Sequence, residues 1–457
     1  MTKINKIFGV ALPINYNSKE ENFDIYWNSF LKSELGKIHQ IIPWNSLIKK
    51  FKIKQNKKGR TSIFSPQGKI ALQILKSYTG LSDKRLMERV NADYQFQFFC
   101  DLHISPDYPM RNFKIISEIR TELGNKLDIA SVQKSLAAYW QPYIKDPKII
   151  MEDATCYESW MRYPTDVKLL WEANEWVYKQ IKLINKQIKG RMPRSKYLEQ
   201  RDKYLSYSKT KRKSHKKTQK RIKSHIYLLG KLLAQLLEIE QKLPDNFNFS
   251  KKYYSRVLTI TKVLEQQNQL FKREKVEDRI VSIDKSYIRP IVRGKEKKRV
   301  EFGAKANILQ VDGINFIEHI SFNAFNEGTR LINSVFLAQT LFNTKVRMLG
   351  GDNIYGTNAN RKFCSTNKIV TSFVRKGRVS KDEPVLKQIR KAINIERATR
   401  MEGAFGTQKN HYSLDKIKAR TEKNELLWIF FGIHTANAVE ISRRKFNQEH
   451  SVLMKTA

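Results

Sequence analysis

The sequence predicts an α/β protein, with a mixed sheet that is split by a helical insertion and preceded by an all-α N-terminal region. Three observations predict it. Apolar runs of strand length recur at 148–158, 300–324 and 345–374. Residues from roughly 168 to 278 are instead rich in Lys, Gln, Glu and Leu at helical spacing. Helix start and stop signals dominate from Arg60 to Leu102. This divides the chain into an N-terminal helical domain over 1–125 and a second domain over 126–457, interrupted at about 168–278.

In the N-terminal region, Pro66 suits the first turn of a helix. Ile70, Ile74, Leu75 and Tyr78 give that helix an apolar face. Gly80 ends it and Ser82 caps the next, which places Leu86 and Val90 four apart. Two helices around a tight turn fit a helix-turn-helix or an ordinary helical hairpin. The second helix carries Lys84, Arg85, Glu88 and Arg89 on accessible faces. Its arginines suit base edges in a major groove, or phosphates, or plain solvation.

Lys148–Glu158 reads as a strand with Asp153 at its end. The insertion follows. Nine Lys and Arg and no acid lie between Lys209 and Lys223, and IYLLGKLLAQLLEIEQKL then carries an apolar helical face. Such a run is a solvated face or a phosphate-contacting helix. Beyond the insertion, VEFGAKANILQ and INFIEHISFNA flank Asp312-Gly313 and read as a hairpin. Glu327–Phe342 reads as a helix and KVRMLGGDNIYG as a short strand that delivers Asp352 at its exit. NANRKFCSTN is a helix, KIVTSFV a strand, and Leu386–Tyr412 a long helix bearing Glu402. The last helix, NELLWIFFGIHTANAVEISRR, is apolar enough for a core.

Charge sets the partner class. Lys and Arg number 86 against 44 Asp and Glu, a net charge of +42. A field of this size attracts polyanions and makes nucleic acid the leading partner; a ribosome-associated protein or a merely basic surface are the alternatives. Cys100, Cys156 and Cys364 have no metal-ligand or disulfide spacing, which fits a reducing compartment. No secretory signal, membrane-length apolar run or phosphate-binding glycine loop is expected, so a cytoplasmic chain without ATP-driven chemistry is the expectation.

Two carboxylates at strand ends and one on a following helix can converge at one sheet edge. Three hard oxygen ligands suit Mg²⁺, and a pair of such ions suits in-line phosphoryl transfer. Each acid alone is weak, since an Asp at a strand end is often a turn or cap residue. Asp166 is read as a cap for the helix that begins near Val167, or a buttress of the site. Asp284, after an apolar run, is a weaker rival to Asp153. His434 is read as a packed helical histidine, and neither it nor His411 is needed by metal chemistry.

Several blocks resemble the DDE transposases of bacterial insertion sequences. GRTSIFSPQGKIALQILKSYTGLSDKRLMERVNADYQFQFFCDL resembles their N-terminal helical domain. DATCYESWMRYPTDVKLLWEA resembles the block around the first catalytic Asp, and RPIVRGKEKKRVEFGAKANI the block before the central strands. GDNIYGTNANRKFC resembles the second Asp block. MEGAFGTQKNHYSLDKIKAR matches E-G-x-F-G-x-x-K at Glu402, Gly403, Phe405, Gly406 and Lys409. The joint occurrence in this order carries the resemblance.

What the resemblance implies is a ribonuclease H-like catalytic domain in which Asp153, Asp352 and Glu402 bind two Mg²⁺ or Mn²⁺ ions. Lys409, two helical turns beyond Glu402, would hold a DNA phosphate. Some relatives place Tyr and Arg seven and four residues before the Glu; here Ile395 and Ala398 stand there. Arg397 or Arg400 is left to substitute for the arginine, and a hairpin intermediate that needs the tyrosine is put in doubt. Arg293, with Lys84, Arg85 and Arg89, completes the expected DNA contacts. The implied partners are duplex DNA (terminal inverted repeats and target) and a second copy of the chain on DNA. The implied place is the bacterial cytoplasm, on the nucleoid. The implied reaction is cleavage at the element ends followed by joining to target DNA. The rivals are a structure-specific nuclease of the same fold and a non-catalytic DNA-binding protein derived from a transposase.

Overall fold

The structure, a computed structural model, describes residues 4–5, 19–54, 62–105, 107–244, 247–292, 300–374, 376–377 and 382–456. The chain forms two compact units. Unit 1 comprises Met1–Trp160, Ala304–Ser321 and Phe325–Ala457; unit 2 comprises Met161–Gly303 and Phe322–Ala324.

Unit 1 begins with β1 (Ile4–Asn5), then α1 (Lys19–Lys32), α2 (Glu34–Gln40), α3 (Trp44–Lys50), α4 (Pro66–Thr79), α5 (Asp83–Ala92) and α6 (Tyr94–Phe99). β2 (His103–Ile104) pairs antiparallel with β1, and α7 (Lys114–Gly124), α8 (Ile129–Trp140) and β3 (Ile149–Ser159) follow. The expected boundaries hold for local reasons. Ser65 caps α4 through the Gly68 amide, Pro66 opens it, and Gly80 closes it in the left-handed region at φ 64. Ser82 then accepts from the Arg85 amide and starts α5. Ile70, Ala71, Leu72 and Leu75 are fully buried. α4 therefore runs through the interior, where it packs on α3, α7 and the last helix of the chain. The helical N-terminal region thus shares a unit with the sheet.

Unit 2 holds α9 (Asp166–Gln187), α10 (Tyr197–Lys209), α11 (His215–Glu240) and α12 (Lys251–Phe271). The stretch expected as a helical insertion holds these four helices around a core of their own. Leu170, Val177, Leu229, Leu232, Leu236 and Ile260 fill that core. Trp171 stacks on Tyr204 at 4.8 Å, which ties α9 to α10. β4 (Pro290–Val292) ends the unit and pairs antiparallel with Val300–Phe302, the first residues of β5 (Val300–Val311). Asp166 does not cap α9. Its Oδ1 accepts from Gln267 Nε2 at 2.9 Å and Arg279 Nη2 at 2.6 Å, so it ties α9 to α12 and the segment after it. Asp284 lies in no strand and pairs with Arg256.

Unit 1 resumes with the rest of β5, then β6 (Ile314–Ser321), α13 (Leu331–Phe342), β7 (Met348–Gly350), α14 (Asn358–Thr366), β8 (Val370–Thr371), α15 (Glu383–His411), β9 (Lys416–Ile417) and α16 (Glu422–Thr456). The expected hairpin is present: β5 and β6 are antiparallel, and Asp312 and Gly313 both take positive φ in the turn. The strand order is β6-β5-β3-β7-β8, with β9 on the far end of β3. β3, β7 and β8 run parallel, so the sheet is mixed. The connection between the parallel neighbours β7 and β8 is a helix, α14, as such a crossover requires.

A polar spine anchors the helices to β6. Gln133 on α8 exchanges two hydrogen bonds with the Ile317 backbone, at 3.0 and 2.6 Å. Asn437 on α16 does the same with Asn315, at 3.0 and 2.7 Å. His434 is buried beside them, and burial pushes its imidazole down to about 3. The expectation of a packed histidine holds.

Candidate active site

β3 is the central strand, flanked by β5 and β7, and α13 and α15 pack on it, so most of its positions are buried and hydrophobic alternation fails along it. Asp153 is the fifth of its eleven residues rather than its last. The strand runs on because its far end is paired by β9, Glu158 opposite Lys416 and Ser159 opposite Ile417. Asp153 is one of the few positions on β3 that is not fully buried.

The register with β7 brings the first two expected acids together. Met151 stands opposite Gly350, so Asp153 and Asp352 each lie two residues beyond the same rung of parallel neighbours. Such strands lie about 4.8 Å apart. Asp352 leaves β7 into a 3₁₀ turn, Asn353–Tyr355, and caps it by accepting from the Asn353 amide at 2.6 Å. Its carboxylate is exposed.

Asp153 is tightly held. Its Oδ1 accepts from the Ala154 amide at 2.7 Å, and its Oδ2 from Arg397 Nη1 at 2.9 Å. Burial pushes its carboxyl above the usual range. The Ala154 amide and Arg397 pull it down, while the negative charges of Glu327 and Asp352 push it further up.

Sequence reasoning did not single out Glu327. It opens a short turn, Glu327–Thr329, that packs against the Asn353–Tyr355 turn. A Cβ on Gly328 would stand 2.6 Å from the Ile354 carbonyl, so only glycine permits this approach. Asn360 clamps both turns by donating to the Gly328 and Tyr355 carbonyls. Lys305 neutralises Glu327 at 2.7 Å.

α15 packs on β3 and β7 and brings the remaining expected residues. Lys409 Nζ donates to Thr155 Oγ1 at 3.0 Å, and Gln408 accepts from the Tyr157 hydroxyl at 2.6 Å. Arg397 is turned inward to Asp153, so its expected role toward DNA is not displayed. Arg400 is half-exposed and pairs with Glu396 at 2.5 Å. Glu402 lies on the same helix, exposed, between the Arg397 and Lys409 anchor points. Among the described residues no three His, Cys, Asp or Glu side chains gather closely enough to hold a metal ion. Asp352 is near enough to Asp153 for its charge to raise that carboxyl, and Glu402 forms no cluster with them among the described residues.

The donor chemistry nevertheless fits Mg²⁺, which is commonly bound by one or two carboxylates plus water and substrate phosphate rather than a full protein cage. Asp153 on β3 and Asp352 at the exit of β7 offer hard carboxylate oxygens, and Asp352 opens to solvent.

On the opposite face of β3 lies a second carboxyl, Glu152. It is fully buried, and burial pushes it up to about 8. Ser334 and Asn307 stand beside it without a hydrogen bond of ordinary geometry. Asn307 also donates to Glu318 at 3.1 Å and to Ser334 at 3.2 Å, and it accepts from the Tyr355 hydroxyl. Tyr355 ends the turn that Asp352 caps. This buried network therefore ties the Asp352 turn to β5, β6 and α13.

The expected recognition residues lie on α5. Lys84, Arg85 and Arg89 are exposed; Lys84 pairs with Glu88 at 3.9 Å and Arg89 with Asp93 at 3.3 Å. Arg89 also lines an open hollow of about 490 Å³ with Tyr78, His411 and Tyr412, which links α5 to the end of α15. Arg293 lies outside the described residues.

Residues 26–122 match the family model described as Transposase domain (DUF772). The match covers α4 and α5 and the helices around them. No curated protein and no solved structure matches the chain. Among the described residues, no helix is long and apolar enough to cross a membrane.

Proposed function

We propose that this chain is a DNA transposase of the DDE type, which cleaves the ends of an insertion element and joins them to target DNA. The observation that carries it is the parallel register of β3 with β7, which ends two residues short of both Asp153 and Asp352, in a chain whose residues 26–122 match a transposase domain. The strand order and the antiparallel hairpin joined to parallel strands support a ribonuclease H-like reading of the sheet.

Asp153 and Asp352 would hold Mg²⁺ or Mn²⁺, with Glu402 reaching the pair from α15. Bound there, such ions polarise a phosphoryl oxygen and lower the pKa of water. The residues around them do the rest. The Ala154 amide fixes the rotamer of Asp153, and the Asn353 amide that of Asp352. Arg397 offsets the charge of Asp153, and its guanidinium is placed to take a phosphate oxygen when that carboxylate is otherwise neutralised. Lys409 stands two turns beyond Glu402 as a second phosphate contact. Water attacks the phosphodiester at the element end and releases a 3′-hydroxyl. That hydroxyl attacks a target phosphodiester, so one such bond replaces another without an external energy source. A second copy of the chain on DNA, and the bacterial cytoplasm as the site of action, belong to the same reading.

Incubation of the chain with Mg²⁺ and a duplex carrying the repeats that flank its reading frame tests the proposal. Cleavage at the repeat ends and joining to a second duplex are expected, with both lost in Asp153→Asn and Asp352→Asn while DNA binding persists. Hydrolysis without joining would make the chain a nuclease. Binding without either reaction would make it a DNA-binding protein of transposase descent.

A further inference from the structure

We infer that the tip of unit 2 formed by the end of α10 and the start of α11 is a docking surface for the phosphate backbone of duplex DNA. The inference rests on the reading of the chain as acting on DNA, and it assigns part of that contact to a helical unit that lacks the carboxylate pair.

Unit 2 is more basic than its share of the chain. It carries 37 Lys and Arg against 15 Asp and Glu, which is about half of the net charge of +42 in about a third of the residues. The excess is concentrated. Lys209, Lys211, Arg212, Lys213, Lys216 and Lys217 are all exposed around the turn between α10 and α11. Among the described residues none of them forms an ion pair with a carboxylate. The tip is a defined structure rather than a loose charged loop. Tyr207 on α10 hydrogen-bonds Thr218 on α11 at 2.9 Å, Ser214 caps α11, and Lys213 lies over the Tyr207 ring.

The placement opposes local stability. The first turn of a helix favours acids, because its free amides and dipole present positive charge. α11 opens instead with His215, Lys216 and Lys217 and has no acid in that turn. Lys216 and Lys217 repel the helix dipole and one another. A polyanion laid across the tip removes both penalties. DNA fits because its phosphates are closely spaced and charged, and because each neutralised phosphate releases counterions. The tip stands at the end of the bundle where α9 begins: Tyr204 stacks on Trp171 near the start of α9, and α10 runs on from Tyr204 toward the turn.

The test uses the full chain and a mixed-sequence duplex without terminal repeats. Dissociation constants are measured across a salt series for the wild type and for a variant with Lys211, Arg212, Lys213, Lys216 and Lys217 all changed to Gln. The control variant changes Lys182, Lys186, Lys189, Lys231 and Lys242, exposed on other parts of the same unit. Each phosphate contact contributes about 0.9 to the slope of log affinity against log salt. The tip variant is expected to lose about three or more from that slope and at least tenfold in affinity, with its thermal midpoint equal to or above wild type. The control is expected to change the slope by less than one. Equal slopes in the two variants would overturn the inference and leave the tip a solvated face. So would tip-dependent binding to phosphatidylserine vesicles with DNA affinity unchanged, which would assign the tip to an acidic membrane. The measurement involves no cleavage. Loss of the slope effect with cleavage intact removes only this inference, and loss of cleavage with the slope effect intact removes only the enzymatic reading.

Discussion

Glu152 and Asp153 are neighbours on one strand and carry the same chemical group, yet the two faces of β3 treat them differently. Glu152 points into the packing between the sheet and α13, where no cation among the described residues pairs with it, and burial holds it protonated near neutral pH. Asp153 points toward α15 and the Asp352 turn, where Arg397 and a backbone amide stabilise its charge. Burial raises both groups, but only one has partners that keep an anion. The difference teaches that a carboxyl here is kept as an anion or as a neutral acid by what faces it, since the strand supplies the same backbone to both.

Substitution at these two positions gives the largest expected effect. Glu152→Ala empties a closed site beside α13 and is expected to lower unfolding free energy by about 2–4 kcal/mol. Glu152→Gln keeps the shape of a neutral acid and is expected to stay within about 1 kcal/mol of wild type. Asp153→Asn reverses the pattern, with stability kept and cleavage reduced to background. Urea unfolding beside a cleavage assay reads both. A Glu152→Gln variant as unstable as Glu152→Ala would mean that the folded protein carries Glu152 as an anion, and the contrast between the faces would fail.

Acid provides the next test. Neither carboxyl should be a source of acid instability, because both stand above their usual range in the folded chain. Buried imidazoles are another matter. Burial holds His434 down at about 3 and His39 at about 4, against 6.5 for a free histidine. A depressed folded value leaves stability intact above 6.5 and removes it as pH falls toward 3–4, because the unfolded chain takes the proton first. About 2 kcal/mol per histidine is expected to be lost by pH 5. Urea midpoints at pH 7 and pH 5 measure it. His225 is held at about 4 as well, so His434→Gln should remove about a third of the drop. An unchanged drop in that variant would place the acid-sensitive group elsewhere, with the β3 carboxyls the first suspects.

How much of this was legible in the sequence depended on range. Ser65, Pro66, Gly80 and Ser82 announced α4 and α5 because caps act within four residues. Asp312-Gly313 announced its hairpin for the same reason. The position of Asp153 was misread as a strand end because β9, more than 250 residues away, pairs the rest of β3 and prolongs it. Asp166 looked like a cap, but its partners Gln267 and Arg279 come from about 100 residues on. Glu327 was missed entirely: its only local signal is an acid before glycine, and its closeness to Asp153 arises from two turns packing across the sheet edge. The pairing of Asp153 with Asp352 was expected from resemblance and from strand exits, and the parallel register supplies its geometry.

The buried face also positions the exposed one, through Tyr355. Its hydroxyl donates to Asn307, and its backbone ends the turn that Asp352 caps. Tyr355→Phe leaves the Asn307 acceptor unpaired in a closed site and is expected to cost about 1–2 kcal/mol. If the network holds Asp352 in place, the variant should also need more Mg²⁺ for half-maximal cleavage while its maximal rate stays near wild type. A stability loss with an unchanged Mg²⁺ requirement would show that the two faces are mechanically independent.

The smallest effect concerns α15, beside Glu402. Gly403 and Gly406 sit three apart on one face of this long helix, and a Cβ on either would meet nothing within 4 Å. Glycine in a helix interior costs about 0.5–1 kcal/mol relative to alanine. No packing among the described residues repays that cost. Gly403→Ala is therefore expected to raise stability by about that amount, read as a small rise in thermal midpoint. If this face receives the DNA backbone, the added methyl should at the same time weaken cleavage several-fold, through affinity rather than through the Mg²⁺ requirement. A variant that is more stable and equally active would confine the substrate face to Asp153, Asp352 and the side chains of β3, and would leave the two glycines without a physical account.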